Sequence, residues 1–300
     1  LWPRQIATNG HVLMEGAKMS KSFGNIIPLR EALTKFGADP IRLSVLATAE
    51  LLQDADFSPS VAKSMRDRLE RLHNFVVENT KTKRPTKQRT DLSTIDQWML
   101  SRLQGHIRKA TEAMDKLAVR KAMHSAMYAL YQDFQWYQKR TANQRTRKKG
   151  ANPHIIRKVL DAEIRMLAPV APHVCEEMWE TMGGKGFVSL SSWPTFDESR
   201  VSVKAEENEA LIVAVLEDTM NIIKATNTTP KKVYLYVAAP WKWKAYLKAL
   251  EKSTSTKVQQ KDLIKDLMEN AELKHQAEKA AKFVGQIVDE VNHMPEERKE

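Results

Sequence analysis

The stretch from Val119 to Tyr137 constrains the fold more than any other part of the chain. Its apolar residues Val119, Met123, Met127, Leu130, Phe134 and Tyr137 recur in steps of 4, 4, 3, 4 and 3. That spacing lays them along one face of an α-helix, and such a face must be buried against neighbours. Other segments repeat the pattern. Val61, Met65, Leu69, Leu72, Phe75 and Val76 form a stripe in a segment opened by Ser58-Pro59. Ser93-x-x-Asp96 reads as a capping box for a helix running to Leu117. Asn152-Pro153 opens a helix with Ile156, Val159, Leu160, Ile164 and Leu167 inward. Ala168-Pro169 breaks it, and Pro172 starts another that ends near Gly183. Long helices with short connections predict an antiparallel bundle.

The flanks read differently. Residues 1–27 have no helical period but carry turn signals at Trp2-Pro3, Asn9-Gly10 and Gly24-Asn25. A short helix fits Leu29 to Phe36, closed by Gly37, and Asp39-Pro40 predicts a second with Asp39 as its N-cap. Lys81 to Thr90 is a polar, basic loop, and residues 184–204 hold turns with room for a short hairpin. A helix is expected from Ala205 to Thr226, and helices again from Pro240 to Leu250 and from Asp262 to Val291. Between them, Val233, Leu235 and Val237 alternate with tyrosines, the pattern of a strand. The expected chain is mainly α. Residues 1–58 would precede the bundle, 59–200 form it, and 201–300 form a small α+β unit that is cut short.

At 42% hydrophobic and 28% charged, the 300 residues can bury a core, which excludes global disorder. No apolar run approaches the roughly 20 residues of a membrane-spanning helix. The single Cys175 cannot form an internal disulfide and suits a reducing, cytoplasmic compartment. No signal peptide is recognisable, and the start at Leu1 and the charged ending are read as those of a fragment. The net charge of +11 is concentrated: residues 61–150 hold 21 basic against 8 acidic residues. The bland alternative is a solvated lysine-rich surface. Its usual matching acids are missing, which favours a polyanion partner such as nucleic acid.

The segment that carries chemistry is Lys18-Met19-Ser20-Lys21-Ser22, followed by Phe23-Gly24-Asn25. Two lysines three apart, with interleaved serines in a glycine-flanked loop, suit a mobile polyphosphate clamp. Ammonium groups neutralise phosphate oxygens, while hydroxyls and backbone N–H groups donate hydrogen bonds. Such a clamp helps catalysis where it grips charge that builds in the transition state.

This pentapeptide resembles the KMSKS signature of class I aminoacyl-tRNA synthetases. The resemblance continues in Pro28-Leu29-Arg30, Gly37-Ala38-Asp39-Pro40-Ile41-Arg42-Leu43, Leu167 to Trp179 and Ser192-Trp193-Pro194. The later pieces are similar to the helical anticodon-binding domain of the leucyl, isoleucyl and valyl branch. Three details resemble the leucyl enzymes of archaeal and eukaryotic-cytosolic type. They are Asn9-Gly10-His11, the run Asn25 to Arg30 without an Asp before Pro28, and Ala49 to Phe57. The charged C-terminal unit, with Tyr234 to Trp241, also resembles the archaeal type. Phe23 stands where Lys is common, a departure that removes no clamp lysine.

The resemblance implies ATP-dependent activation of leucine and its transfer to leucine tRNA. Lys18 and Lys21 would be catalytic, and Lys18 to Ser22 would bind ATP with its accompanying Mg2+. No prosthetic group and no membrane partner are implied. No HIGH-type tetrapeptide occurs. The nucleotide-binding half, the leucine pocket and an editing domain would lie before Leu1, which predicts an inactive fragment. An isoleucyl or valyl enzyme and a non-catalytic tRNA-binding module remain the alternatives.

The basic cluster Lys139, Arg140, Arg145, Arg147, Lys148 and Lys149 has no apolar duty and is assigned to RNA phosphate contact. Lys81, Lys83, Arg84, Lys87 and Arg89 are left open between RNA contact and surface. No metal site is expected: His173-x-x-Glu176-Glu177 reads as helix-start packing, and Asp54 and Asp56 as turn residues. Gly183-Gly184-Lys185-Gly186 reads as a helix C-cap. Trp241, Trp243 and Tyr246 are read as core of the small unit.

Overall fold

A computed structural model describes residues 6, 8, 10–81, 92–142, 150–253, 257–268 and 277–294. It divides into two compact units, residues 1–221 and 222–300.

The first unit opens with a small sheet of order β2-β1-β3. Strand β1 (Val12–Met14) turns tightly into β2 (Ala17–Lys18) and pairs parallel with β3 (Ala55–Phe57). Glu15 and Gly16 both have positive φ, 52° and 79°, as a two-residue hairpin turn demands. Helices α1 (Leu29–Phe36) and α2 (Ala38–Leu46) lie between β2 and β3 in the chain. Gly37 joins them at φ 89°, a conformation that favours glycine.

The bundle follows. It comprises α3 (Pro59–Lys81), α4 (Thr94–Asp115), α5 (Val119–Met123), α6 (Leu130–Ala142), α7 (Pro153–Leu167) and α8 (Pro172–Thr181). The expected stripes are its core. Met123, Met127, Leu130, Phe134 and Tyr137 are buried with Met99, Leu160, Ile164 and Leu167. The capping box is complete: the Asp96 N–H donates to Ser93 Oγ, and Ser93 N–H donates back to the Asp96 carboxylate. Asn152 Oδ1 accepts the His154 N–H at the start of α7. In place of a hairpin, residues 188–190 and 198–200 form single 3-10 turns.

The bundle also holds one departure from regular α-helix among the described residues. His124–Ala129, between α5 and α6, winds as a π-helix. A wide turn shifts carbonyls out of the regular ladder. The Arg68 guanidinium on α3 donates to the Met127 carbonyl there. It also lies over the rings of Tyr128 and Tyr131, at 4.3 and 4.9 Å.

The start of α2 also differs. Gly37, not Asp39, occupies its N-cap position. Asp39 is buried and serves another helix. The N-cap residue of α8, Ala171, has no side chain with which to cap. Asp39 Oδ2 accepts the Val174 N–H at 2.7 Å, and Oδ1 pairs with His173 Nδ1 at 2.7 Å. Arg42, one turn on, donates to the carbonyls of Pro169 and Val170 at 3.0 and 2.9 Å. An acid at a helix N-terminus and a base at carbonyls past a C-terminus both complement the backbone dipoles. The two motifs 37–43 and 167–179 therefore meet as a latch.

Helix α9 (Val203–Thr226) spans the boundary between the units. The second unit packs α10 (Pro240–Ser253), α11 (Gln260–Met268) and α12 (Ala277–His293) around Ala245, Leu263, Leu267, Val284 and Ile287. Trp241 meets Phe283 edge-to-face at 5.6 Å, and Tyr246 is partly buried, but Trp243 is exposed. The strand expected at Val233–Val237 is not formed. Those side chains are exposed, and no partner strand pairs with them among the described residues. An isolated strand leaves its ladder unpaired, so alternation alone does not make one.

Candidate functional site

The clamp loop starts on the sheet. Lys18 is the last residue of β2, paired opposite Leu13. The hairpin turn is held from β3: Gly16 N–H donates to Asp56 Oδ1 at 2.9 Å. His11 N–H donates to Asp54 Oδ1 at 2.7 Å. Both aspartates thus fix backbone turns.

Beyond Lys18 the chain bends sharply. Phe23 N–H donates to the Ser20 carbonyl and Gly24 N–H to that of Lys21, each at 3.2 Å. Gly24 has φ 65°, which favours glycine. Asn25 ties the loop across its mouth. Its Oδ1 accepts the Ser20 N–H at 2.8 Å, and its Nδ2 donates to the Lys18 carbonyl at 3.1 Å. The Ser20 and Ser22 hydroxyls share a 2.7 Å hydrogen bond. Lys18, Lys21 and Ser22 are exposed, and Met19 and Ser20 half-buried. The arrangement holds two cations on a braced turn open to solvent. The bracing role of Asn25 runs through backbone groups, which residue spacing alone does not disclose. In Asn25→Ala, the Ser20 amide should exchange with solvent roughly five- to tenfold faster, as expected for one lost hydrogen bond. Unchanged exchange would show that the turn braces itself.

The basic cluster is placed in part. Lys139 is exposed at the end of α6, with its ammonium 5.8 Å from the Trp136 ring centre. Arg140 is engaged within the protein: its Nε donates to Glu209 Oε1 at 2.5 Å, and Trp136 Nε1 donates to the same oxygen at 2.8 Å. Arg140 ties α9 to α6, a duty that spacing could not disclose. Arg145, Arg147, Lys148 and Lys149 lie outside the described residues. So do Lys83, Arg84, Lys87 and Arg89, while Lys81 closes α3.

The other candidates have structural partners. His173 pairs with Asp39, as above. Glu176 accepts from Val188 N–H, Ser189 N–H and Ser189 Oγ, closing the 3-10 turn. Gly183, at φ 72°, ends α8, and Gly184 N–H donates to the Trp179 carbonyl at 2.8 Å. His106 is buried between Ser125 Oγ at 3.2 Å and Asp133 at 2.8 Å. Burial pushes the Asp133 carboxyl upward, but the hydrogen bonds from His106 and Arg102 outweigh it and hold it below the usual range. Among the described residues, no three His, Cys, Asp or Glu side chains are grouped to hold a metal. No described helix is long and apolar enough to cross a membrane.

Comparison with known proteins places this geometry. Residues 1–79 match the family model of class I tRNA synthetases of the M type, and residues 96–235 that of the anticodon-binding domain of tRNA ligases. Both models describe parts of tRNA synthetases. Along nearly its whole length the chain is similar to archaeal leucine–tRNA ligases. It is 40% identical to that of Methanococcoides burtonii over 99% of its length, and 35% identical to that of Pyrococcus abyssi over 96%. The chain spans about 30% of the length of these relatives. The fold is similar to that of Agrobacterium radiobacter K84 LeuRS, solved as a LeuRS–tRNA–LeuAMS complex. The TM-score is 0.53 at 22% identity, over 77% of this chain and 31% of that one. It is also similar to Mycobacterium tuberculosis methionyl-tRNA synthetase with methionyl-adenylate, at TM-score 0.50 and 17% identity over 64% of this chain and 40% of that one.

Proposed function

We propose that this chain supplies the KMSKS half of the ATP site and the tRNA-binding body of a leucine–tRNA ligase. The observation that carries the reading is the braced loop Lys18–Asn25, with its two exposed lysines, in a chain 40% identical to such a ligase along 99% of its length. The parent enzyme joins leucine to ATP. A leucine carboxylate oxygen bonds to the α-phosphorus, and the bond to pyrophosphate breaks. Lys18 and Lys21 neutralise the charge that builds on the leaving pyrophosphate. Ser20 and Ser22 shape the turn and offer hydrogen bonds. A ribose hydroxyl of the tRNA's terminal adenosine then bonds to the leucyl carbonyl carbon, and the bond to AMP breaks. Residues 17–25 contain no carboxylate, so no side chain of the loop would hold the Mg2+ that accompanies ATP. Residues 1–58 act in catalysis, 59–200 in holding tRNA and 201–300 in tRNA discrimination. The cytoplasm is the compartment of this work.

The phosphate contacts fall to Lys139 and to Arg145, Arg147, Lys148 and Lys149. Each contributes a slope of roughly −0.7 to −0.9 in log K against log salt. Reversing the charge of the last four together should therefore flatten the salt dependence of tRNA binding by about 3 units. The parental slope in that variant would remove the cluster from the interface. Absence of tRNA binding by the parental chain would sink the reading of the bundle.

A further inference from the structure

A cavity of about 120 Å³ opens between α3, α6 and α7. None of its lining residues belongs to the clamp loop. An apolar cavity of about 150 Å³ admits benzene, so this one has the scale of a single planar ring. Its walls are apolar: Phe75 and Phe134 meet edge-to-face at 5.5 Å, beside Leu72, Met127, Leu160 and the Tyr131 ring. The Tyr131 hydroxyl accepts from Gln135 Nε2 at 2.8 Å, and two further lining side chains can both donate and accept hydrogen bonds, Gln138 and the buried Glu163.

Glu163 is the telling group. It is 3% exposed, yet among the described residues no hydrogen-bond partner meets its carboxyl. Burial pushes it up to about 8, against the pull of the Arg68 guanidinium. At neutral pH it is a carboxylic acid, one donor beside one acceptor. Its oxygens are not sealed in the core but face the cavity, where a ligand can meet them. The mouth carries positive charge, from exposed Arg71 and half-buried Arg68.

We propose that this cavity receives one unstacked nucleobase of the bound tRNA, with its edge read by Glu163 and Gln138 and its phosphate near Arg71. The inference rests on the reading that the bundle binds tRNA. Single-stranded RNA is recognised in this manner, by stacking on aromatic rings and hydrogen bonding along the base edge. An apolar ligand would leave Glu163 unsatisfied. An anion would be drawn to the arginines at the mouth but would gain little from the apolar walls.

The test measures leucine tRNA binding by the whole chain and by three variants, with chemical probing of each tRNA base. Gln138→Trp plugs the cavity. Glu163→Leu is apolar, without donor or acceptor, and Glu163→Gln keeps both. Gln138→Trp and Glu163→Leu should each weaken binding about tenfold, in line with the loss of one stacked base. One tRNA base should lose its protection in both, and Glu163→Gln should bind like the parent. Thermal melting checks that the variants are folded. Because Glu163→Leu exchanges the acid for an apolar side chain of similar size, it should melt no lower than the parent. Parental affinity in both Gln138→Trp and Glu163→Leu would overturn the proposal while leaving tRNA binding intact. If the parental chain binds no tRNA, the pocket and the reading beneath it fall together. Nucleoside monophosphates are the second probe. If they bind in the cavity while tRNA affinity ignores the plug, the ligand is a free nucleotide and the tRNA source is wrong.

Discussion

Replacing Asp39 by alanine should destabilise residues 1–221 by about 3 kcal/mol, one of the largest single-residue effects in the chain. Asp39 is 4% exposed and caps a helix 135 residues away through the Val174 N–H. It also holds His173 at 2.7 Å. Hydrogen bonds to a charged partner contribute about 1.5–3 kcal/mol each, and loss of a helix cap costs about 0.5–2 kcal/mol. Alanine removes both bonds and leaves the first turn of α8 without a side-chain cap. Asparagine keeps the shape and one good acceptor, so it should lose about half as much. Chemical denaturation of the two variants measures this. A loss below about 0.5 kcal/mol in the alanine variant would mean that water or backbone takes over the cap.

Stability should also fall as pH rises from 5 to 8, because of Glu163. Its folded carboxyl is raised by burial to about 8 from an ordinary 4.5. Between those values the unfolded chain has released a proton that the folded chain still holds. Stability therefore decreases with pH across the window. The groups around it are Arg68 and Arg71 on α3, Tyr131 on α6 and Cys175 on α8. At 1.36 kcal/mol per unit, the loss amounts to about 3 to 4 kcal/mol between pH 5 and 8. Glu163→Gln should remove this slope and be the more stable protein at pH 8. Parallel pH profiles for parent and variant would show that Glu163 ionises in the folded state as it does unfolded. Asp133 acts in the opposite sense. Its lowered carboxyl supports the fold above the ordinary carboxylate range, and that support fades as pH falls through its folded value.

The sequence disclosed what is local. Ser93 and Asp96 are three residues apart, and Asn152 caps a neighbour two residues on, so both caps could be read directly. The apolar stripes marked the bundle helices because burial has a period. The π-turn at 124–129 escaped because steps of three and four fit a wide turn as well as a regular one. Long-range partners escaped for a different reason. Asp39 looked like the cap of its own helix, yet its partners lie 134 and 135 residues away. Arg140 looked like a free cation until Glu209, 69 residues on, came into contact. The alternation at Val233–Val237 carried no information about whether a neighbouring strand exists to pair with it.

In the segment Lys18–Asn25 the sequence disclosed a glycine-flanked loop that exposes two lysines. It did not disclose the bracing, because Asn25 works through backbone groups of Ser20 and Lys18 that no side-chain pattern reveals.

The central claim is that Lys21 and Lys18 act on charge that develops as pyrophosphate leaves. Leucine-dependent exchange of pyrophosphate into ATP, measured on the enzyme that carries this chain, tests it most directly. Lys21→Ala should lower the exchange rate by about 10²- to 10³-fold, the cost of removing one preorganised transition-state contact, and leave the KM for leucine almost unchanged. A parental rate, or an effect confined to the KM for leucine, would contradict the account.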